Sequence, residues 1–342
     1  MATMRSLLAS AQPPLTFDNL CPHVKTHKSV WTTQKQMAAG ISFFKSTLNE
    51  LHMLIAAGAP KIFIAYPLLE ADAAEVAVLI AEHPQIEFFV QASQPRHVEI
   101  LRRFSSTRWN LFIDVNVGMN RTGLAAQDAW SFYQGISGCA TVNVVGIHAY
   151  DGHVHQCGED LRKQAAAESM RVVIELVRQF AQNGRPPAMT MVAGTPSFLP
   201  DMQLLGQATL PTKLLFSPGT WIYSDSLTNE MLPGFFEIAA VLLTQVIDLP
   251  TPRTATLNIG HKRWAVDQGA IDSFSVPGMK AVSWNEEHTV VAVPDGMTLN
   301  IGDYVSAAPR HVCSTVNLWE YAVLIDAQGS VVRDLKIEAR NR

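Results

Sequence analysis

A lysine set between histidines, a histidine two residues before a cysteine, and two glycine–threonine turns are the stretches of this sequence with the means to do chemistry. Residues 21–28 read CPHVKTHK and carry Lys25. A lysine amine attacks a carbonyl only when it is neutral. Packed in a strand among apolar and aromatic neighbours, it pays a desolvation penalty that lowers its pKa toward that state. His23 shares the strand face of Lys25, and Pro22 stiffens the entry. Residues 309–317 read PRHVCSTVN. On a strand, His311 and Cys313 project to one face, and imidazole with thiolate is a Zn²⁺-type pair. Two protein ligands leave positions open for water and substrate. Glu286, Glu287 and His288 in NEEHT (285–289) are either a supporting layer for that metal or a solvated turn.

The two turns are AGTPS (193–197) and SPGTW (217–221). Glycine lets backbone N–H groups approach an anion closely, and hydroxyls add donors. Gly194, Thr195 and Ser197 in the first, with Ser217, Gly219 and Thr220 in the second, are therefore candidates for holding a phosphate. Two further stretches carry polar side chains at strand ends. FIDVNVGMNRTGL (112–124) offers Asp114, Asn116 and Arg121, the last able to meet an anionic group. GIHAYDGHVH (146–155) offers His148 and Tyr150 on one face, then His153 and His155.

Short β-branched and aromatic runs must position these residues. There are eight: HVKT (23–26), ISFFKS (41–46), KIFIAYP (61–67), EFFVQA (87–92), NLFIDVN (110–116), NVVGIHAY (143–150), MTMVAG (189–194) and KLLFSPG (213–219). Helical patterns such as LNELHMLIAAG, AAEVAVLIAEH and ESMRVVIELVRQFAQNG lie between most of them, with apolar residues at i, i+3, i+4 and i+7. The alternation predicts an α/β fold, a (β/α)₈ TIM barrel, over a doubly wound open sheet. Catalytic residues of such barrels sit at the C-terminal ends of the strands. The loops after the seventh and eighth strands are where they often bind phosphate. Lys25 after the first run and the two turns after the seventh and eighth therefore suggest pyridoxal phosphate.

From FFEIAAVLLTQVIDL onward, helical periodicity fades and strand-like runs with DG and QGS turns follow. The expected domains are a barrel over 1–235 and an all-β domain over 236–342, with the first ~20 residues packing on the β domain.

The chain has 342 residues, 48% of them apolar, enough for a large and a small domain. A net charge of −4 with no basic stripe argues against nucleic acid and membrane surfaces as partners. The apolar runs are too short to span a bilayer. The N-terminus MATMRSLLASAQPPL makes a poor secretory signal. Four dispersed cysteines without a CxxC pair suggest a reduced, cytoplasmic setting.

PHVKTHK, DVNVGMNRTG, the YDGH stretch, GTPS, PGTWIYSD and PRHVCSTVN follow the order and spacing of the D-serine dehydratase and D-threonine aldolase family. The chain resembles these fold-type III enzymes, relatives of alanine racemase, over about residues 20 to 320. The resemblance implies a Schiff base on Lys25; His23 and Tyr150 join it here as catalytic candidates. It implies a phosphate held by Thr195, Gly219 and Thr220, with Tyr150 near the cofactor ring; Arg121 and His148 are further cofactor-binding candidates. It also implies a divalent metal, Zn²⁺ favoured and Mn²⁺ the alternative, at His311 and Cys313, and a homodimer. The chain departs from the family pattern at Cys21, where arginine is common, in the glycine-poor loop VAGTPSF, and in IGHKRWAVDQG.

Two reactions on a small D-amino acid follow from the resemblance. One is β-elimination from a D-3-hydroxy amino acid, giving a 2-oxo acid and ammonia. The other is retro-aldol cleavage to glycine and an aldehyde, with His153 or His155 as candidate bases. Family aldolases tend to carry aspartate where Cys313 stands, which favours elimination. 3-Hydroxyaspartate as substrate would call for an extra cation, with Arg121, Arg310 and Lys262 available. A racemase, with Tyr304 or Tyr321 as second base, and a non-catalytic cofactor-binding protein are the remaining alternatives.

Overall fold

The structure, a computed structural model, describes residues 1–340. It falls into two compact units. The first comprises Met1–Lys25 and Val30–Gly219; the second comprises Thr26–Ser29 and the chain from Thr220 onward.

The first unit is built on parallel strands β1 (Phe43–Ser46), β2 (Lys61–Pro67), β3 (Glu87–Ala92), β4 (Trp109–Asn116), β6 (Val142–Ala149), β7 (Met189–Val192) and β8 (Lys213–Phe216), hydrogen-bonded in that order. A two-residue strand β5 (Leu124–Ala125) pairs with β4. Helices α1 (Ala2–Ala9), α2 (Val30–Ala38), α3 (Leu48–Ala57), α4 (Glu70–Glu82), α5 (Pro95–Arg102), α6 (Ala129–Ile136), α7 (Glu159–Gln182) and α8 (Phe198–Gln207) belong to this unit. The first run differs from expectation. HVKT is not a strand: Val24–Thr26 form a 3₁₀ turn. The closing element lies just before it. Leu20 bridges Phe216 and His23 bridges Lys45, both in parallel. The Cys21 amide donates to the Phe216 carbonyl at 2.8 Å, and the Lys45 amide to the Pro22 carbonyl at 3.0 Å. Residues 20–23 thus fill the gap between β8 and β1 and curl the sheet into a barrel. Pro22, which has no N–H, limits the ladder here to isolated bridges.

Alternation along the strands sets the interior in layers. Cys21, Phe43, Phe63, Phe89, Phe112, Met191 and Leu215 pack together as an apolar floor. The Phe43–Phe89 and Phe63–Phe112 ring centroids are 4.8 and 5.0 Å apart. Two residues further along three of these strands, and nearer their C-terminal ends, stand Lys45, Gln91 and Asp114. Gly146 of β6 admits no side chain, because a Cβ there would strike the Met189 carbonyl. The N-terminal segment clusters with this unit rather than with the β domain. Met4 and Leu8 of α1 are buried, and the Gln12 carbonyl occupies the space that a Cβ on Gly206 of α8 would need.

The second unit begins at Thr220, ahead of the 235/236 boundary expected from the loss of helical periodicity. It contains a short helix, α9 (Ser226–Met231). Strands β9 (Leu242–Thr251), β10 (Thr254–Leu257), β11 (Ser273–Phe274), β12 (Lys280–Trp284), β13 (Thr289–Ala292) and β14 (Tyr304–Ala308) form one sheet in the order β11-β14-β9-β10-β13-β12. All its pairings are antiparallel. Its core gathers Val246, Leu257, Trp264, Val291 and Val305. A helix, α10 (Val312–Val316), precedes the hairpin β15 (Tyr321–Ile325) and β16 (Val331–Lys336). Gly329 in the QGS turn has φ +82°. Among the described residues no helix is long and apolar enough to cross a membrane.

Candidate functional site

In the barrel unit the candidate residues gather at the C-terminal ends of the strands. Lys25 and His23 are half-buried on the turn that leaves the closing segment, and the Lys25 amide donates to His23 Nδ1 at 3.2 Å. The lysine that burial strips of its charge is a different one. Lys45, 4% exposed, is pushed down to about 7, mainly by desolvation; Asp114 opposes the shift, while Lys25 and Arg121 add to it. Lys45 Nζ lies 2.7 Å from His148 Nε2, and His148 Nδ1 lies 2.7 Å from Asp114 Oδ1. Gln91 Nε2 donates to Asp114 Oδ2 at 3.2 Å.

The charges in this chain follow from its burial. His148 is pushed down to about 4, first by desolvation and then by Lys45, with Asp114 opposing. A neutral imidazole that gives its Nδ1 proton to Asp114 presents Nε2 as an acceptor for the lysine. Asp114 stays below the usual carboxylate range: burial alone would raise it, but hydrogen bonds from His148 and Thr122 outweigh that.

Thr122 ties the loop after β4 to this network, and Asn116 shapes the loop. Its Oδ1 accepts from the amides of Gly118 and Asn120 at 3.1 and 3.0 Å. Gly118 has φ +126°, and a side chain there would run into the His153 ring. The loop brings Arg121 to 5.2 Å from the centre of the Tyr150 ring, over which Lys45 Nζ also sits at 4.9 Å. Gly152 and Gly194 flank the same ring. A Cβ on Gly152 would collide with Tyr150 Cε1, and one on Gly194 would stand 3.4 Å from Cε2.

The turn after β7 uses part of its polarity internally. Ser197 is buried; its Oγ accepts from the Gly194 amide at 3.0 Å and donates to Asp151 Oδ1 at 2.9 Å. Both the Gly194 N–H and the Ser197 OH, expected from the sequence to offer themselves to a phosphate, thus have partners within the turn. Asp151 and Asp201, both buried, face each other behind this turn. Burial raises both, and Asp151 raises Asp201 well above the usual range, so Asp201 keeps the proton they share. Thr195 is buried as well. After β8, the buried Ser217 hydroxyl has no hydrogen-bond partner.

Pyridoxal phosphate fits this mouth. Among the described residues Lys25, Lys45 and Arg121 have no carboxylate in ion-pair contact, and Ser217 holds an unused buried hydroxyl. Basic side chains without a paired carboxylate, with an unsatisfied hydroxyl in the same unit, suit a phosphate dianion.

The second unit holds the other candidate pair. PRHVCSTVN is not a strand: His311 is the extended N-cap of α10 and Cys313 lies in its first turn. The two still meet, since Cys313 hydrogen-bonds His311. His311 Nδ1 is 2.5 Å from Asp267 Oδ2 and 3.2 Å from Ser314 Oγ. Burial alone would lower His311, yet Cys313 and Asp267 together raise it to about 9. Cys313 is buried, with Thr26 Oγ1 3.1 Å and Thr220 Oγ1 3.8 Å from its sulfur. Asp225 builds the approach. Its Oδ1 caps α9 at the Thr228 amide, 2.7 Å, and its Oδ2 accepts from the Val312 amide at 2.9 Å. Arg310 pairs with Glu230 and Asp272 at 2.7 and 2.6 Å, and Lys262 with Glu286 and Glu287 at 2.7 and 3.0 Å, so both cations are already matched.

A divalent metal fits the pair. A histidine with Nδ1 on a carboxylate leaves Nε2 to coordinate, the outer arrangement metal-binding histidines use. The chain supplies few ligands, since among the described residues no three His, Cys, Asp or Glu side chains converge as a metal nest.

Sequence reasoning did not single out Lys45, Asp225 or Asp267. The F-x-K alternation of FFKS was the available sign for Lys45. Asp225 and Asp267 act across 87 and 44 residues.

Known proteins carry the same architecture. D-threonine aldolase from Filomicrobium marinum superposes with a TM-score of 0.87 at 22% identity, covering 99% of this chain and 91% of that one. D-threo-3-hydroxyaspartate dehydratase from Delftia sp. HT23 gives 0.81 at 19%, covering 98% and 94%. A Cys→Ala variant of that dehydratase has been solved in a metal-free form. In sequence, the Delftia dehydratase is 21% identical over 91% of this chain and 88% of its own length. The 3-hydroxy-D-aspartate aldolase of Paracoccus denitrificans (strain Pd 1222) is 23% identical over 69% of this chain, and the match spans only 62% of the aldolase. A putative serine dehydratase domain matches residues 239–325. The alanine racemase N-terminal domain matches residues 4–222, the stretch that holds the barrel, its closing segment and Lys25, and the chain belongs to that family.

Proposed function

We propose that this chain is a pyridoxal-phosphate- and metal-dependent lyase of D-3-hydroxy amino acids. Its proposed reaction is β-elimination, releasing a 2-oxo acid and ammonia. The observation that carries the reading is the placement of Lys25 on the turn leaving the barrel-closing segment, in the unit whose mouth also offers Arg121, Lys45 and the unused Ser217 hydroxyl. Pyridoxal phosphate supplies an electron sink for negative charge at Cα.

The chain's own residues do the rest. Lys25 holds the cofactor and, once released from it, takes the Cα proton. Thr195, Ser217 and Gly219 receive the phosphate. Tyr150, fixed between Gly152 and Gly194, packs at the cofactor ring. His23 supports Lys25 through its backbone contact. His148 acts from below, through Lys45. His311 and Cys313 hold the divalent metal, with Asp267 orienting the imidazole. Lewis acidity toward the β-hydroxyl is what that metal supplies. The thiolate favours Zn²⁺ over Mn²⁺. The enzyme is proposed to work in the cytoplasm as a homodimer.

Retro-aldol cleavage is the second reading, favoured by relatives named as aldolases. Product analysis separates the two. The full chain is incubated with pyridoxal phosphate, Zn²⁺ or Mn²⁺, and D-serine, D-threonine or 3-hydroxy-D-aspartate. Oxo acid with ammonia supports elimination; glycine with an aldehyde replaces it with the aldolase reading. No product from any of the three substrates overturns both.

A further inference from the structure

Lys45 is enclosed by the barrel, 4% exposed, in a setting that leaves its charge open. Its hydrogen-bond partner is His148 Nε2 at 2.7 Å, on an imidazole whose other nitrogen is committed to Asp114. That partner accepts a hydrogen bond from either an ammonium or an amine, so the bond survives both states. The groups facing Lys45 are known on every side: His148 from β6, Asp114 from β4, Cys21 from the closing segment, Lys25 from the turn after it, Arg121 from the loop after β4, and the Tyr150 ring. Two of these are further cations. One buried carboxylate, reached through His148, is the only anion among them. Cys21 is no counter-charge, because burial raises its thiol far above the neutral range.

We propose that Lys45 takes up a proton when the phosphate of a cofactor enters the barrel mouth, so that cofactor binding and protonation of this lysine are coupled. Before binding, three cations share the mouth and the most buried gives up its proton. A phosphate dianion compensates the other two and makes the third affordable to charge. Linkage then makes the effect reciprocal: whatever affinity the anion lends the proton, the proton lends the anion. This rests on the cofactor reading above and adds to it a role for a lysine that carries no covalent bond.

The coupling is read by calorimetry on the cofactor-free full chain, with no turnover involved. The ligand is pyridoxamine 5′-phosphate, which carries the ring and phosphate but has no aldehyde to condense with a lysine. Titrations in phosphate-free buffers of different ionisation enthalpy give the protons exchanged per ligand. Wild type should take up about 0.5–1 proton more than Lys45→Met or Lys45→Arg between pH ~7.5 and ~9. Its affinity should weaken by up to about tenfold per pH unit in that window, beyond the weakening in Lys45→Arg, which stays charged throughout. Lys25→Met should keep most of the uptake, because desolvation outranks Lys25 among the causes that disfavour the charge on Lys45. Equal proton counts in wild type and Lys45→Arg would overturn the coupling and leave the cofactor reading standing. Loss of the uptake in Lys25→Met alone would overturn it too, by moving the proton to Lys25. If wild type binds pyridoxal phosphate but shows no extra uptake with pyridoxamine phosphate, the coupling fails without recourse to any variant. If wild type binds neither, the cofactor reading falls and takes the coupling with it.

Discussion

Lys45 Nζ and His148 Nε2 stand 2.7 Å apart, one layer above the phenylalanine floor of the barrel. Burial lowers the affinity of both for a proton, and Lys45 lowers that of His148 further. The imidazole is therefore neutral near neutral pH while the lysine is only part-charged, and Asp114 holds the imidazole in the tautomer that accepts from Lys45. The consequence is a dependence of stability on acidity. His148 binds a proton at about 4 when folded and at 6.5 when unfolded. The unfolded chain holds more protons between those values, so stability is lost as pH falls from about 6.5 to 4. His148→Gln should flatten that slope in urea unfolding at a series of pH values. An unchanged slope would place the acid sensitivity elsewhere.

Lys25→Ala should abolish the visible absorbance of tightly bound cofactor after dialysis, whereas Lys45→Met should retain it. Retention in Lys25→Ala and loss in Lys45→Met would exchange the roles of the two lysines.

Asp267 touches His311 without being one of the two proposed ligands, and so separates orientation from ligation. Asp267→Asn should weaken Zn²⁺ binding by about 10–100-fold in chelator competition while leaving the fold intact. Cys313→Ala, which removes the thiolate, should lose the metal more completely and with it turnover. Full activity of Cys313→Ala in chelator would remove the metal from the reaction.

Two glycines of one stretch should fail differently. Gly146→Ala drives a methyl into the Met189 carbonyl on the neighbouring strand, where backbone has no room to yield. It should cost about 3 kcal/mol or more in thermal or denaturant unfolding. Gly152→Ala meets the Tyr150 ring and Met119 Sδ instead, and side chains can move. The fold should survive at a cost of about 1–2 kcal/mol, with activity falling further than stability because Tyr150 is displaced.

Asp201 is held protonated against Asp151. Its folded pKa lies above the unfolded 3.8, so the folded chain binds more protons and stability declines as pH rises through the raised value. Asp201→Asn keeps a donor toward Asp151 and removes that titration. Its melting temperature should fall less than that of wild type as pH rises above 3.8; a steeper decline would contradict the shared proton.

Much of the barrel was legible along the chain, because buried parallel strands write themselves as short apolar runs and amphipathic helices as a 3.6-residue period. Seven of the eight runs are strands. The exception is instructive. HVKT looks extended by composition, but the pairing partners of β8 and β1 are Leu20 and His23, and the chain has turned by Val24. HVCST is β-branched and reads as a strand, yet Asp225, 87 residues before it, accepts the Val312 amide at the start of a helix. Propensity is local, and a capping bond from elsewhere overrode it.

Residue types and order alone marked Lys25, His311, Cys313, Arg121 and Tyr150 as the candidates, since covalent and metal chemistry need those side chains whatever the fold. Which lysine loses its charge was decided only by the tertiary structure. Desolvation and Coulomb interactions act through space, and it took barrel closure to set Lys45 beside His148 and near Lys25 and Arg121, with water excluded. The same holds for Ser197, whose hydroxyl the sequence offers to a phosphate and the fold assigns to Asp151.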